Sequence, residues 1–320
     1  MHACIDLGSN SFHLLIGEWE NGRIQIIERL SEKVQFGENV SSTGRISSQA
    51  FERGLSCLHR FKLLMKQYPV QRYWALGTNT FRVAANAEEF IQAAKVKGID
   101  ISVITGVQEA VLIYAGVITA LPVVETQRLV IDIGGGSTEI VIGRKHERLL
   151  TESLAIGSVS WRDNFFADSN SPVEILTAQM DEGVAAARKV FEPIAPVVDK
   201  AEWKDAFASS GTVKMLAFIC EAHAYGQKQI QLNALLELKG KIADAIADDT
   251  ELPGLKERRR DLLLAGWCIL VGLMESYQVE VINFSATALR EGMLDFMVRN
   301  EKTFQAMESS ELPEVSFAKG

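Results

Sequence analysis

The chain has 320 residues, 47% hydrophobic and 23% charged, a globular balance that leaves no room for extensive disorder and exceeds what one ordinary core supports. Two domains are therefore expected. The net charge of −8 argues against a general affinity for nucleic acid or other polyanions, which favour a broad basic surface.

The chain runs from Met1 straight into a strand-like segment, without the basic and apolar regions of a secretory signal, so a cytoplasmic protein is expected. Ile5 to Gly17 reads as strand, turn, strand. Ser47 or Ser48 caps a helix whose apolar face is Phe51, Leu55, Leu58, Phe61 and Met65. Tyr73–Gly77 reads as a strand, with Thr78–Arg82 opening a helix or turn. Ile101–Thr105 is a further strand, feeding a helix from Val107 to about Thr119. Pro122 and a polar stretch place a boundary near residues 117–127, giving domains over 1–120 and 121–320. After a second hairpin at Ile131–Gly143, helices are expected near 172–192, 212–224, 230–248, 256–276 and 286–299, and the polar segment after about Thr303 is expected to fray. The basic run Lys256–Arg260 contains Glu257 and reads as a solvated helix face. Leu262–Met274 is too short to cross a bilayer, which takes about 20 apolar residues, and reads as a buried helix. Cysteines 4, 57, 220 and 268 form no Cys-x-x-Cys pair and no cluster with histidine, so buried thiols are expected rather than a zinc site or disulfides.

The two hairpins are one motif written twice. Ile5, Asp6, Gly8, Ser11, Ile16 and Gly17 recur without a gap as Ile131, Asp132, Gly134, Ser137, Ile142 and Gly143. Each has an Asp at the end of an apolar run, then small residues, then a second apolar run ending in Gly. Glycine lets backbone approach an anion closely, successive N–H groups can point at phosphate oxygens, and the hydroxyls add donors. The Asp can hold a metal or a water. The alternation of strands and helices around both copies predicts an α/β fold of two related lobes facing a central cleft, with ligands at the carboxyl ends of the strands.

The sequence resembles the exopolyphosphatase and guanosine pentaphosphate phosphohydrolase (Ppx/GppA) family of the actin-like ATPase superfamily. The resemblance rests on Asp6-Leu7-Gly8-Ser9-Asn10-Ser11-Phe12-His13, Thr78-Asn79-Thr80-Phe81-Arg82, Gly106-Val107-Gln108-Glu109-Ala110 and Asp132-Ile133-Gly134-Gly135-Gly136-Ser137-Thr138-Glu139. Ser153–Gly157, Ser210-Gly211-Thr212 and Ala288–Gly292 extend it over nearly the whole chain. It implies two actin-like, ribonuclease H-like domains in the short form that lacks appended helical domains. It further implies Glu109 as the group that activates water, Arg82 as the phosphate grip, and Asp132 and Glu139 as ligands of magnesium or another divalent cation. Gly8, Ser9, Asn10 and Ser11, with Gly134, Gly135, Gly136, Ser137 and Thr138, then cradle phosphates. Many relatives carry a second carboxylate where this chain has Gln108 and a basic residue where it has Val111.

Phosphoanhydride hydrolysis suits this set, since it needs substrate charge neutralised and a water held in line. Arg82 offers a planar fork for phosphate, and magnesium prefers oxygen ligands such as these carboxylates. Glu109 falls in the first turn of a helix, where the helix dipole alone also favours a glutamate. Inorganic polyphosphate is the substrate expected first and guanosine pentaphosphate the alternative, with an actin-like small-molecule kinase and a non-catalytic phosphate or nucleotide sensor as further readings. A homodimer is the arrangement common in the family, with no nucleic-acid or membrane partner. His13, Trp161 and Trp267 read as packing residues, and Arg290 and Glu291 as an ion pair or a helix cap.

Overall fold

The computed structural model describes residues 1–20, 23–167, 171–299, 312 and 316–317. Its first sheet starts from β1 (His2–Leu7), β2 (Ser11–Glu20) and β3 (Arg23–Lys33), an antiparallel meander. Helices α1 (Val40–Thr43) and α2 (Ser48–Met65) lead to β4 (Arg72–Gly77), which lies parallel to β1. Then come α3 (Asn79–Val83), α4 (Ala87–Val96), the short β5 (Ile101–Val103) parallel to β4, and α5 (Gly106–Thr119). The strand order is β3-β2-β1-β4-β5.

The second sheet repeats that order. Strands β6 (Arg128–Ile133), β7 (Thr138–Arg144) and β8 (Glu147–Leu154) form the meander. Helices α6 (Ser158–Phe165), α7 (Val173–Phe191) and α8 (Ala195–Lys200) precede β9 (Asp205–Ser209), which is parallel to β6. After α9 (Gly211–Ala222), β10 (Gln229–Gln231), α10 (Leu232–Ala247) and α11 (Leu263–Ser276), β11 (Val281–Phe284) completes the order β8-β7-β6-β9-β11-β10. The duplication reaches the register. Asp6 faces His13 as Asp132 faces Glu139, and the bulge at Ile16/Gly17 recurs at Ile142/Gly143. Both domains have the actin-like ATPase fold.

Two compact units result, Met1–Pro122 with Thr287–Gly320, and Val123–Ala286. The break after Pro122 falls inside the interval read from the sequence, but the expected 121–320 domain does not hold together. Helix α12 (Leu289–Arg299) returns to the first unit and buries Met293, Leu294, Phe296 and Met297 there. Its approach to α5 is close enough that a Cβ on Gly116 would overlap the Ala288 carbonyl and sit 2.7 Å from the Gly292 nitrogen. Nothing local in a terminal apolar helix says which sheet it will cover. The segment expected to fray after Thr303 lies outside the described residues apart from Leu312 and β12 (Ser316–Phe317), which pairs antiparallel with β4.

Each unit has its own core. In the first, Ser47 caps α2 by accepting from the Ala50 nitrogen at 3.2 Å. The buried face of that helix is Ala50, Gly54, Cys57, Leu58, Phe61 and Met65, leaving Phe51 and Leu55 half-buried at its edge. The stripe turns this way because Gly54 makes room for the Phe90 ring, part of a cluster with Phe12, Phe36 and Phe81. In the second, α11 is buried from Leu263 to Met274, as its composition requires. No described helix is long and apolar enough to cross a membrane. All four cysteines are free and buried. Trp161 and Trp267 are core residues whose indoles donate to the Gly183 and Leu235 carbonyls. Glu291 caps α12 through the Ala288 nitrogen at 2.9 Å and pairs with Arg29 rather than Arg290.

Candidate active site

In the first unit, the residues singled out from the sequence sit at the carboxyl ends of β1, β4 and β5. Ser9 and Asn10 in the turn between β1 and β2, and Ser11 at the start of β2, are each less than a tenth exposed. The Ser9 and Asn10 carbonyls are already committed. The Val34 and Gln35 nitrogens donate to the Asn10 oxygen at 3.0 and 2.8 Å, and the Gly37 nitrogen donates to the Ser9 oxygen at 2.8 Å. Thr80, from the first turn of α3, donates its hydroxyl to Ser9 at 2.8 Å. The segment after β3 and the start of α3 thus fix the turn's orientation, a role that the hairpin sequence alone does not reveal.

Arg82 and Glu109 meet. The guanidinium Nη1 of Arg82 donates to Glu109 Oε2 at 2.8 Å and to the Ile104 carbonyl at 3.0 Å. Glu109 is 8% exposed. Burial raises its carboxyl above the ordinary glutamate value, and Arg82 pulls the other way without cancelling the shift. The helix that carries Glu109 begins with a capping box. Thr105 accepts from the Gln108 nitrogen at 3.2 Å, and Gln108 Oε1 accepts from the Thr105 nitrogen at 2.8 Å. A glutamine closes such a box as well as a glutamate does, which gives Gln108 a physical role. Val111 is buried in the body of the same helix.

In the second unit, the Gly134–Ser137 turn closes on itself through the Gly134 nitrogen to the Ser137 carbonyl at 2.9 Å. The start of α6 packs against it: the Ser158 and Val159 nitrogens donate to the Gly134 and Gly135 carbonyls at 2.9 and 2.8 Å. Gly157 makes this approach possible, since a Cβ there would overlap the backbone of Gly135 and Gly136. Thr138 is fully buried and donates to the Ile156 carbonyl at 2.7 Å. Asp132 and Glu139 lie opposite each other on β6 and β7. Ser209 donates to Asp132 Oδ2, and Ser153 donates to Glu139 Oε1 at 2.8 Å. Among the described residues there is no group of three or more metal-binding side chains. Two carboxylates still fit magnesium, which commonly takes one or two carboxylates and fills its octahedron with waters and phosphate oxygens.

One feature of the second unit departs from the sequence reading. The Lys256–Arg260 run is not a solvated helix face but a 3₁₀ turn (Glu257–Leu262) whose cations partly turn inward. Arg260 donates to the Ala245 and Thr250 carbonyls. The Arg259 guanidinium lies against the first residue of α9, where a Cβ on Gly211 would overlap it. Burial, then the neighbouring Arg258, lowers the Arg259 pKa from the usual arginine value. Together with Lys214, Lys256, Arg258 and Phe218 it lines a small pocket at the amino end of α9. Ser210, at φ 105°, takes a backbone conformation that L-residues rarely adopt and caps α9 through the Thr212 and Val213 nitrogens. The turn motif was visible in the sequence, but its pairing with a basic run some 45 residues later needs the fold.

The profile of the Ppx/GppA phosphatase family matches residues 15–301. The guanosine-5'-triphosphate,3'-diphosphate pyrophosphatase of Aeromonas hydrophila is 35% identical over 302 residues, covering 94% of this chain and 60% of that protein. The protein of the same name from Pseudoalteromonas translucida is 37% identical over 300 residues, covering 93% and 59%. The chain therefore spans about 60% of the length of these curated relatives. Among solved structures, an exopolyphosphatase from Cytophaga hutchinsonii superposes with a TM-score of 0.83 at 27% identity, covering 94% of this chain and 99% of that one. The Aquifex aeolicus member of the Ppx/GppA family gives 0.72 at 27%, covering 94% and 98%. A profile match over most of the chain, relatives above 30% identity and full-length structural agreement lead to one assignment: the chain belongs to the Ppx/GppA phosphatase family.

Proposed function

We propose that the protein is a phosphoanhydride hydrolase that removes the 5'-terminal phosphate of guanosine pentaphosphate. The observation that carries the hydrolase reading is the Arg82–Glu109 pair, a buried carboxylate at a helix start held by a phosphate-binding type of side chain. In this reading Glu109 takes a proton from water as the water oxygen bonds to the terminal phosphorus. The bond from that phosphorus to the bridging oxygen breaks, the shortened nucleotide leaves with that oxygen and the electron pair, and the terminal phosphorus is released as orthophosphate. Arg82 and the two glycine- and serine-rich turns offset charge on the phosphates, and Asp132 and Glu139 hold a divalent cation. Bound there, the cation would neutralise phosphate charge and orient the substrate.

The substrate reading rests on the 35–37% identical relatives, which are guanosine-5'-triphosphate,3'-diphosphate pyrophosphatases. The cations Arg259, Lys214 and Lys256 at the amino end of α9 suit an anionic group of the ligand, which a guanosine polyphosphate and a bare phosphate chain both carry. Inorganic polyphosphate is the second reading, favoured by the likeness to an exopolyphosphatase whose chain is matched over 99% of its length. The test is magnesium-dependent phosphate release from guanosine pentaphosphate, medium-chain polyphosphate and ATP, by the wild type and by Glu109→Gln. Release from guanosine pentaphosphate at the highest kcat/KM, falling at least 100-fold in the variant, is expected. Preference for polyphosphate would install the second reading, and release unaffected by the variant would remove Glu109 as the base.

A further inference from the structure

The two hairpins are near copies in sequence and register, yet the side chains lying across their sheets differ in a way that bears on where a cation binds. In the second sheet, Ser209, Asp132, Glu139 and Ser153 are consecutive register partners on β9, β6, β7 and β8. Directly opposed residues on neighbouring strands point to the same face, so these four form one row across the sheet. The two inner members are carboxylates and the two outer ones are serines. Each serine hydroxyl donates a hydrogen bond to the carboxylate beside it: Ser209 to Asp132 Oδ2, and Ser153 to Glu139 Oε1 at 2.8 Å. Ser209 is fully buried and Glu139 is 1% exposed, so neither arrangement is a surface accident. In the first sheet the corresponding row reads Leu76, Asp6, His13 and Ser31. It has one carboxylate, and an aliphatic side chain where the second row has Ser209.

We propose that Ser209 and Ser153 are positioning residues for a divalent cation, each fixing one oxygen of its carboxylate so that Asp132 and Glu139 present a shared site. The same row explains why the cation goes with the second hairpin rather than the first. Two carboxylates directly opposed in a sheet repel each other, and a donor at each end of the row offsets that repulsion while locking both rotamers. Outer groups that hydrogen-bond metal ligands hold the ligand geometry, and their loss typically weakens metal binding by about 10–100-fold. Ser153 and Ser209 fit that role by position and by bond. The inference rests on the reading that Asp132 and Glu139 bind the cation.

Manganese provides a direct probe through the loss of its free-ion paramagnetic resonance signal on binding. Wild type, Ser153→Ala, Ser209→Ala, Ser153→Thr, and Ser31→Ala in the first sheet are titrated, with thermal melting run alongside. The Mn2+ Kd should rise at least tenfold in folded Ser153→Ala and Ser209→Ala. It should recover toward wild type in Ser153→Thr and stay unchanged in Ser31→Ala. Phosphate release by Ser153→Ala should fall at low Mg2+ and return at saturating Mg2+, a split that a general loss of structure would not give. A folded Ser153→Ala or Ser209→Ala protein that binds Mn2+ within twofold of the wild type overturns the proposal. Should Asp132→Asn and Glu139→Gln also bind as wild type does, the carboxylate assignment itself fails, an outcome distinct from failure of the serines alone.

Discussion

Glu109 is held between opposing influences. Burial favours its neutral form, while the Arg82 guanidinium at 2.8 Å favours the charged form, and the balance leaves its pKa above the ordinary value. A general base must be ionised to act, so kcat/KM should fall as pH drops through that raised pKa, giving an acidic limb at higher pH than an exposed glutamate would produce. Removing Arg82 removes the influence that lowers the pKa. In Arg82→Ala the limb should therefore move to still higher pH, in addition to any loss of phosphate grip. The pH dependence of kcat/KM for both proteins checks this, and a limb that stays in place would mean that another group titrates there. Glu109 was legible in the sequence as the first-turn glutamate of a helix. Its partner was legible only as a second motif residue, because the sequence separation of 27 is closed by the fold and not by any local pattern.

At the scale of elements, the clearest constraint is the crossing of α5 and α12 within the first unit. The two helices touch through backbone at Gly116 and Gly292: a Cβ on the first would overlap the Ala288 carbonyl, and one on the second the Leu112 carbonyl. Backbone atoms cannot rotate away as a side-chain end can. Gly116→Ala is expected to destabilise the protein by about 3 kcal/mol, the upper part of the range for overpacking, even though alanine is the better helix former by about 1 kcal/mol. Chemical denaturation would measure it, and a neutral or stabilising result would show that the helices part without loss. The hairpins and the helix bearing Glu109 could be read from the sequence because each writes its own period and caps. Close helix pairing could not, since a lone glycine in an apolar helix carries no record of what approaches it. The inward turn of Arg259 was hidden for the same reason: a run of five mostly basic residues has a solvated helix as its default reading until a distant Gly211 is found to make room.

For the molecule as a whole, the consequence lies in how the chain divides. The first unit is discontinuous, Met1–Pro122 completed by the segment from Thr287, while the second is one uninterrupted stretch, Val123–Ala286. The repeat announced two similar lobes, and it delivered them as β3-β2-β1-β4-β5 and its counterpart. It says nothing about which lobe owns α12, which lies outside both copies. Physically, α12 supplies Met293, Leu294, Phe296 and Met297, all at most 2% exposed, to the core of the first unit. Fully burying side chains of this kind is worth about 1.5–3 kcal/mol each before ordering entropy is counted, which together exceeds much of a typical domain's net stability of about 5–15 kcal/mol. A chain ended after Ala286 should therefore keep a folded second unit and lose the first. Hydrogen exchange would show this as protection retained in β6–β9 and α11 and lost in β1, β4 and α5. Equal protection in both units would mean that the first core closes without α12, and equal loss would mean that the second unit depends on the first for its own stability. If the units do separate in this way, Glu109 and Arg82 go with the unfolded part and Asp132 and Glu139 with the folded one. The truncated chain should then still bind Mn2+ while releasing no phosphate, which separates the proposed cation site from the proposed base in a single protein.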